Sequence, residues 1–187
     1  MRTAPDEELM ERVRGGDEAA FVLLVGRYKD ELTNFAERFL GDRDDAEDVV
    51  QEAFVRVWRK RVSFAAGRRF STWLYTIAAN LAKTRLRRRV LWKFVRLGSP
   101  DGAPADIPDD AAGADAHAEE AIKEERIQQA LGTLPPKFRA IVVLRDIQQL
   151  SYEEIAAITG CAMGTVKSRI NRARALLREQ LRDLIRE

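Results

Sequence analysis

Apolar residues recur along this chain at intervals of three and four, and nowhere do they alternate with the period of two that marks a half-buried strand. The spacing predicts helices throughout. A short one covers about Asp6 to Arg14, and Gly15-Gly16-Asp17 then breaks the chain and caps a longer one from about Glu18 to Leu40, ended by Gly41. Asp44 or Asp45 opens a third through about Lys60, striped by Ala46, Val49, Val50, Ala53 and Val57. A loop is expected over about 61–69, with Ser71 as N-cap of a fourth helix running through Arg87-Arg88-Arg89. On that helix Leu74, Ile77, Ala78 and Leu81 share the inward face, while Trp73, Thr76, Asn80, Lys83 and Arg87 line the other.

The pattern then lapses. Residues 98–118 hold Gly, Ala, Pro and Asp with Ile107 as the one large apolar side chain, too little apolar surface to offset the entropy of ordering. An acidic, flexible linker is expected there. Helical spacing resumes at Glu119 and runs to about Leu131, and Pro135-Pro136 opens another helix, where proline fits the first turn. The expected fold class is all-α: one helical domain over residues 1–97, the linker over 98–118, and a second helical domain over 119–187.

Near the end, Ser151-Tyr152-Glu153-Glu154 has the spacing of a capping box, followed by Ile155, Ala156 and Ile158 and a stop at Gly160. A second helix starts near Met163 or Gly164, with Val166, Ile170, Ala173, Leu177, Leu181 and Leu184 as its apolar stripe. Its first turns turn outward Thr165, Lys167, Ser168, Arg169, Asn171 and Arg172. A capped short helix, a tight turn and a second helix with a basic, amide- and hydroxyl-bearing start describe a helix-turn-helix. Those side chains match the base edges of a major groove. By charge alone, an ordinary helical hairpin with a solvated face fits as well.

Charge sharpens this picture. The 187 residues carry a net charge of only +2, but no Asp or Glu lies between Glu52 and Asp101, where there are thirteen Lys or Arg. Residues 1–52 instead have fifteen acids against seven bases, and residues 101–125 have nine acids. Aromatic side chains (Phe54, Trp58, Phe64, Phe70, Trp73, Tyr75, Trp92, Phe94) are interleaved with the bases. That combination suits a polyanion with exposed flat faces, meaning nucleic acid with unpaired bases. A solvated basic helix face is the plainer reading. The third helix is the complement: Asp45, Asp48 and Glu52 share a face that repels DNA and suits a basic protein partner. The helix dipole accounts for Asp45 well and for Glu52 not at all.

One cysteine, Cys161, and one histidine, His117, exclude a disulfide framework and a Cys/His zinc cluster, and leave no support for nucleophile chemistry. No apolar run approaches a membrane span, and the acidic start lacks a signal core, so a cytoplasmic protein without cofactor, metal or membrane partner is expected.

Two segments together carry a resemblance. Residues 45–54 (DAEDVVQEAF) with 70–80 (FSTWLYTIAAN) resemble conserved region 2 of bacterial RNA polymerase sigma factors, and 151–156 (SYEEIA) with 164–169 (GTVKSR) resemble region 4. The similarity is to the small extracytoplasmic-function (ECF) group, often tied to stress responses, which keeps these two regions and little else. It implies that Asp45, Asp48, Gln51, Glu52 and Phe54 dock on the clamp helices of the polymerase β′ subunit. It implies a loop, residues 62–71 with Phe64, Arg68, Arg69 and Ser71, that captures a flipped base of the promoter −10 element, and a helix with Trp73, Asn80, Lys83 and Arg87 that holds the opening duplex. Region 4 is expected to read the −35 element through Lys167, Ser168, Asn171 and Arg172, with Arg145, Thr165 and Arg169 on phosphate, and to meet the β flap. The linker acids Asp101, Asp106, Asp109, Asp110 and Asp115 would thread toward the active-site channel or simply tether. The apolar stretch Val90 to Val95 departs from the pattern; it packs on region 2 or awaits a partner such as an anti-sigma protein. The rival readings are a stand-alone helix-turn-helix regulator, which needs no acidic docking helix, and a DNA-acting enzyme, which needs catalytic acids that the basic half lacks.

Overall fold

Helix ends are set by local chemistry in most of the chain. The computed structural model describes residues 4–65, 67–97 and 115–182, with side chains up to Arg89, at Leu91 and from Glu120 onward. Helix α1 (Asp6–Arg14) starts on Pro5 with Asp6, Glu7 and Glu8 in its first turn, where carboxylates favour the dipole. Helix α2 (Glu18–Leu40) begins where Asp17 accepts the Ala20 N–H at 3.0 Å, and it ends on Gly41 in the left-handed region, φ 71°. Helix α3 (Arg43–Arg59) is capped by Asp42 and starts one or two residues ahead of the expected Asp44 or Asp45. A 3-10 turn (Arg61–Ser63) leads into the loop, and α4 runs from Phe70 to Leu97. Ser71 therefore lies inside α4 and does not cap it. The first N–H of α4, that of Phe70, points instead to Glu7 of α1.

The second half consists of α5 (Asp115–Thr133), α6 (Pro136–Val142), a π-helical turn (Val143–Ile147), α7 (Tyr152–Thr159) and α8 (Met163–Gln180). Helix α5 starts ahead of the expected Glu119. Both bonds of the Ser151–Glu154 capping box form, at 2.9 and 3.2 Å, and Gly160 ends α7 with φ 66°. Among the described residues there is no strand. The linker acids from Asp101 to Asp110 lie outside the described residues, as do the side chains of Val90 and of Trp92 to Val95.

The two halves share one core. Leu32, Phe35, Ala36 and Phe39 of α2 are buried with Val49, Val50 and Val57 of α3, Leu74 and Ala78 of α4, and Ile141, Leu144, Ile155, Val166 and Ile170 of the second half. Tyr75, Ala79 and Ala82 are buried too, with Tyr75 edge-on to Phe35 of α2 at 5.5 Å, and α7 also packs against α4. Polar ties cross the same boundary. Arg139, 7% exposed, donates to Phe39 O at 2.8 Å, to Leu134 O at 3.2 Å and to Gly132 O, so α6 is fastened to the end of α2. Tyr75 donates to Gln148 at 2.7 Å, and Gln148 in turn donates to Asn34 at 3.2 Å. Buried guanidinium and phenol groups with partners stabilise a specific arrangement; without partners each would cost free energy. Burial, reinforced by Glu31, pushes the Tyr75 phenol well above its ordinary range, so it stays a donor.

Candidate nucleic-acid and polymerase interfaces

Three surfaces emerge from this framework. The first is the start of α8. Val166, Ile170 and Ala173 seat the helix against α6 and α7, which leaves Lys167, Ser168, Asn171 and Arg172 exposed on one side. Four outward groups of this kind on one helical face can meet base edges together. Thr165 and Arg169 are half-buried, and Arg169 reaches the Cys161 sulfur at 3.1 Å. Arg145 is turned inward: it donates to Leu150 O at 2.8 Å and lies 4.9 Å over the Tyr152 ring. Further along, Arg174 is held by both oxygens of Asp146, which orients α8 against the π-turn.

The second surface is the loop before α4. Phe64, 6% exposed, is part of the core, with its ring 5.1 Å from Trp73 and 6.4 Å from Phe70. It anchors the loop from beneath, and Arg68 and Arg69 are the exposed side chains above it. Gly67 (φ 81°) permits the reversal that brings them there. Trp73 is half-buried, Lys83 likewise, and Asn80 and Arg87 are exposed along the same helix. Arg69 donates to Glu154 at 2.8 Å, so the cap of α7 sits on the rim of this loop.

The third surface lies on the far side of α2 and α3. A groove of about 1100 Å³ opens between them, floored by Phe21, Val25 and Phe54 and edged by Asp48 and Gln51. Val22, 66% exposed, stands on its rim. Of the five acidic-helix candidates, Gln51 is exposed, Asp48 is exposed yet paired to Arg85 at 2.9 Å, and Glu52 is paired to Arg56 at 2.8 Å. Phe54 is buried, edge-on to Phe21 at 6.3 Å. Asp45 is turned toward α4, where Arg85 at 2.6 Å and Arg89 at 3.3 Å hold it. The α3 sequence revealed the acids and Phe54 but not Phe21, Val22 and Val25, the apolar share of the groove that α2 supplies. The signal available was the apolar run Ala19 to Val25, wider than a single buried stripe needs.

Among the described residues no group of His, Cys, Asp and Glu side chains stands close enough to hold a metal ion, and no helix is long and apolar enough to cross a membrane. Fold and surfaces define an all-helical protein with a helix-turn-helix and a separate, acid-edged groove between α2 and α3. The sigma-70 region 2 family matches residues 24–90, and sigma-70 region 4 matches residues 124–177. The chain is 38% identical over 185 residues to the ECF RNA polymerase sigma factor SigW of Bacillus subtilis (strain 168), covering 94% of this chain and 96% of that one. It is 38% identical over 189 residues to the ECF RNA polymerase sigma-E factor of Escherichia coli (strain K12), covering 97% and 96%. Two solved structures share the fold across both halves. CnrH in complex with the cytosolic domain of CnrY has a TM-score of 0.72 at 29% identity, covering 95% of this chain and 97% of that one. RpoE of Bartonella quintana in complex with the anti-sigma factor NepR has a TM-score of 0.68 at 31% identity, covering 87% and 96%. The chain belongs to the ECF sigma factors of bacterial RNA polymerase, proteins of transcription initiation that direct the polymerase to promoters.

Proposed function

We propose that the three surfaces divide the work of promoter recognition. The groove between α2 and α3 receives the clamp helices of the β′ subunit, with Asp48, Gln51 and Glu52 meeting basic side chains and Phe21, Val22 and Phe54 supplying apolar area. The loop carrying Arg68 and Arg69, with Trp73, Asn80, Lys83 and Arg87 behind it, takes the −10 strand. The exposed face of α8 reads the −35 duplex through Lys167, Ser168, Asn171 and Arg172, with Arg169 on phosphate, while the second half meets the β flap. The functional units run over residues 1–97 and 119–187, and the chain works in the cytoplasm with no catalysis of its own.

The observation that carries this reading is the separation of charge by surface: five acids (Glu18, Asp30, Glu37, Glu47, Asp48) against three bases line the α2–α3 groove, while α8 and the loop before α4 expose Lys167, Arg172, Arg68 and Arg69. DNA and a basic protein can therefore be held at once. Relatives solved with CnrY and NepR support an anti-sigma protein as a further partner of this chain. Photo-crosslinking tests the division. A photoreactive residue at Gln51 is expected to label the β′ subunit, and one at Asn171 promoter DNA. Labelling of DNA from Gln51 would overturn the assignment.

A further inference from the structure

The first turn of α4 lacks a cap of its own. Trp73 N bonds to Arg69 O at 3.2 Å, which makes Arg69 the residue at the cap position, and a guanidinium cannot accept a hydrogen bond. The Phe70 N–H, one of the orphan donors of a helix start, is met from outside by the Glu7 carboxylate of α1 at 3.4 Å, across 63 positions of sequence. The neighbouring Asp6 fastens α1 to α2, accepting from Arg27 at 2.5 Å and from the Tyr28 hydroxyl. The Tyr28 ring then meets the Phe70 ring edge-on at 5.4 Å. Phe70 is thus gripped twice, at its amide by Glu7 and at its ring by Tyr28. Its ring also contacts Phe64 and Trp73, and Phe64 and Phe70 bracket the segment that presents Arg68 and Arg69.

The position of Glu7 is electrostatically expensive for a nucleic-acid site. It stands beside a stretch of 48 residues (53–100) from which acids are otherwise absent, and a carboxylate repels phosphate. Its geometry supplies the compensating gain: an acceptor at the helix start that favours one orientation of the loop exit.

We propose that Glu7 is a positioning residue for −10 strand capture, acting through the Phe70 amide and not by touching DNA. This rests on the reading of the 62–71 loop as the −10 capture site. It assigns α1 the role of a brace for the loop, with Asp6 holding the brace and Glu7 setting the loop.

The test uses holoenzyme assembled from core polymerase and the full chain, on a duplex promoter selected from a random pool by the wild-type holoenzyme. Strand opening is read by permanganate reactivity of the −10 thymines, and closed binding by affinity for a duplex carrying the −35 element alone. Glu7→Ala is expected to lower opening about tenfold, the equivalent of one lost helix cap, with −35 affinity unchanged. Glu7→Gln keeps an acceptor oxygen and is expected to restore opening to within about twofold. Glu8→Ala, the adjacent exposed acid, is expected to behave as wild type. Wild-type opening by Glu7→Ala overturns the proposal. So does a Glu7→Gln as impaired as Glu7→Ala, or a gain in opening from both, which would make the carboxylate only a repellent of phosphate. The loop reading fails separately if Arg68→Ala with Arg69→Ala leaves opening unchanged, and the proposal then falls with it.

Discussion

Arg69 of the loop before α4 donates to Glu154 of the α7 capping box at 2.8 Å, joining residues 85 positions apart in sequence. One carboxylate thus serves two ends. Its Oε2 accepts the Ser151 N–H at 2.9 Å to start α7, and its Oε1 accepts from the Arg69 guanidinium. Because Arg69 is 71% exposed, the ion pair contributes at most about 1 kcal/mol, enough to bias the free chain and too little to lock it. Glu154→Gln is expected to raise the affinity of the free chain for single-stranded DNA less than about fivefold, read by fluorescence anisotropy.

The same carboxylate gives a pH dependence. The Ser151 N–H, together with Arg69, holds Glu154 below its ordinary value of 4.5, against a smaller opposing effect of burial. A folded pKa below the unfolded one means that its stabilisation is complete above about pH 4.5 and is lost as pH falls through the lowered folded value. Urea midpoints between pH 7 and pH 3 are expected to fall less for Glu154→Gln than for the wild type. Equal slopes would remove Glu154 from the acid response.

Arg139 holds the halves together more firmly. Replacing it with Met leaves Phe39 O and Leu134 O without their donor, at a cost of about 1–3 kcal/mol each when water cannot enter. Small-angle scattering is expected to show a larger radius of gyration for Arg139→Met at temperatures where the wild type stays closed. An unchanged radius and melting temperature would show that the apolar core alone sets the arrangement.

On α8, Arg172 and Arg174 are two positions apart with different duties. Arg172 is exposed, so Arg172→Ala is expected to cost about 1–3 kcal/mol of −35 binding, concentrated at one base pair. Arg174 is engaged by Asp146, so its loss is expected to lower the melting temperature and weaken binding to all sequences alike. Competition binding against a panel of single-base −35 variants separates the two; equal profiles would contradict the assignment.

The acidic helix divides in the same way. Asp48→Ala with Glu52→Ala is expected to lower retention of core polymerase in a pull-down with little change in stability. Asp45→Ala is expected to act on stability first, because its side chain, 15% exposed, satisfies Arg85 and Arg89. Full retention by the double variant would argue against docking through this groove.

Where local chemistry decides, the sequence was legible. The bounds of α1 and α2 follow from Gly15-Gly16-Asp17 and Gly41, and the α7–α8 unit from its capping box and stripe, because each signal acts within one turn of its own residues. What could not be read depends on partners distant in sequence. Ser71 looked like a cap, yet the acceptor for α4 comes from Glu7. Phe64 looked like a base-stacking group, yet Phe70 and Trp73 close over it. Tyr75 is covered by Phe35, 5.5 Å away on α2, and bonded to Gln148, partners forty and seventy-three positions distant that spacing within α4 does not reveal. The π-turn at Val143–Ile147, closed by Gln148 N to Val143 O at 3.0 Å and followed by Gln149 at φ 55°, has no helical-period signature either.

The most direct measurement is transcription in vitro on a pool of DNA fragments, with core polymerase alone and with this chain added. Discrete new start sites are expected only when the chain is present, and they should weaken with Asp48→Ala/Glu52→Ala and with Arg172→Ala. DNA binding without any new start site would contradict the account and leave a stand-alone regulator in its place.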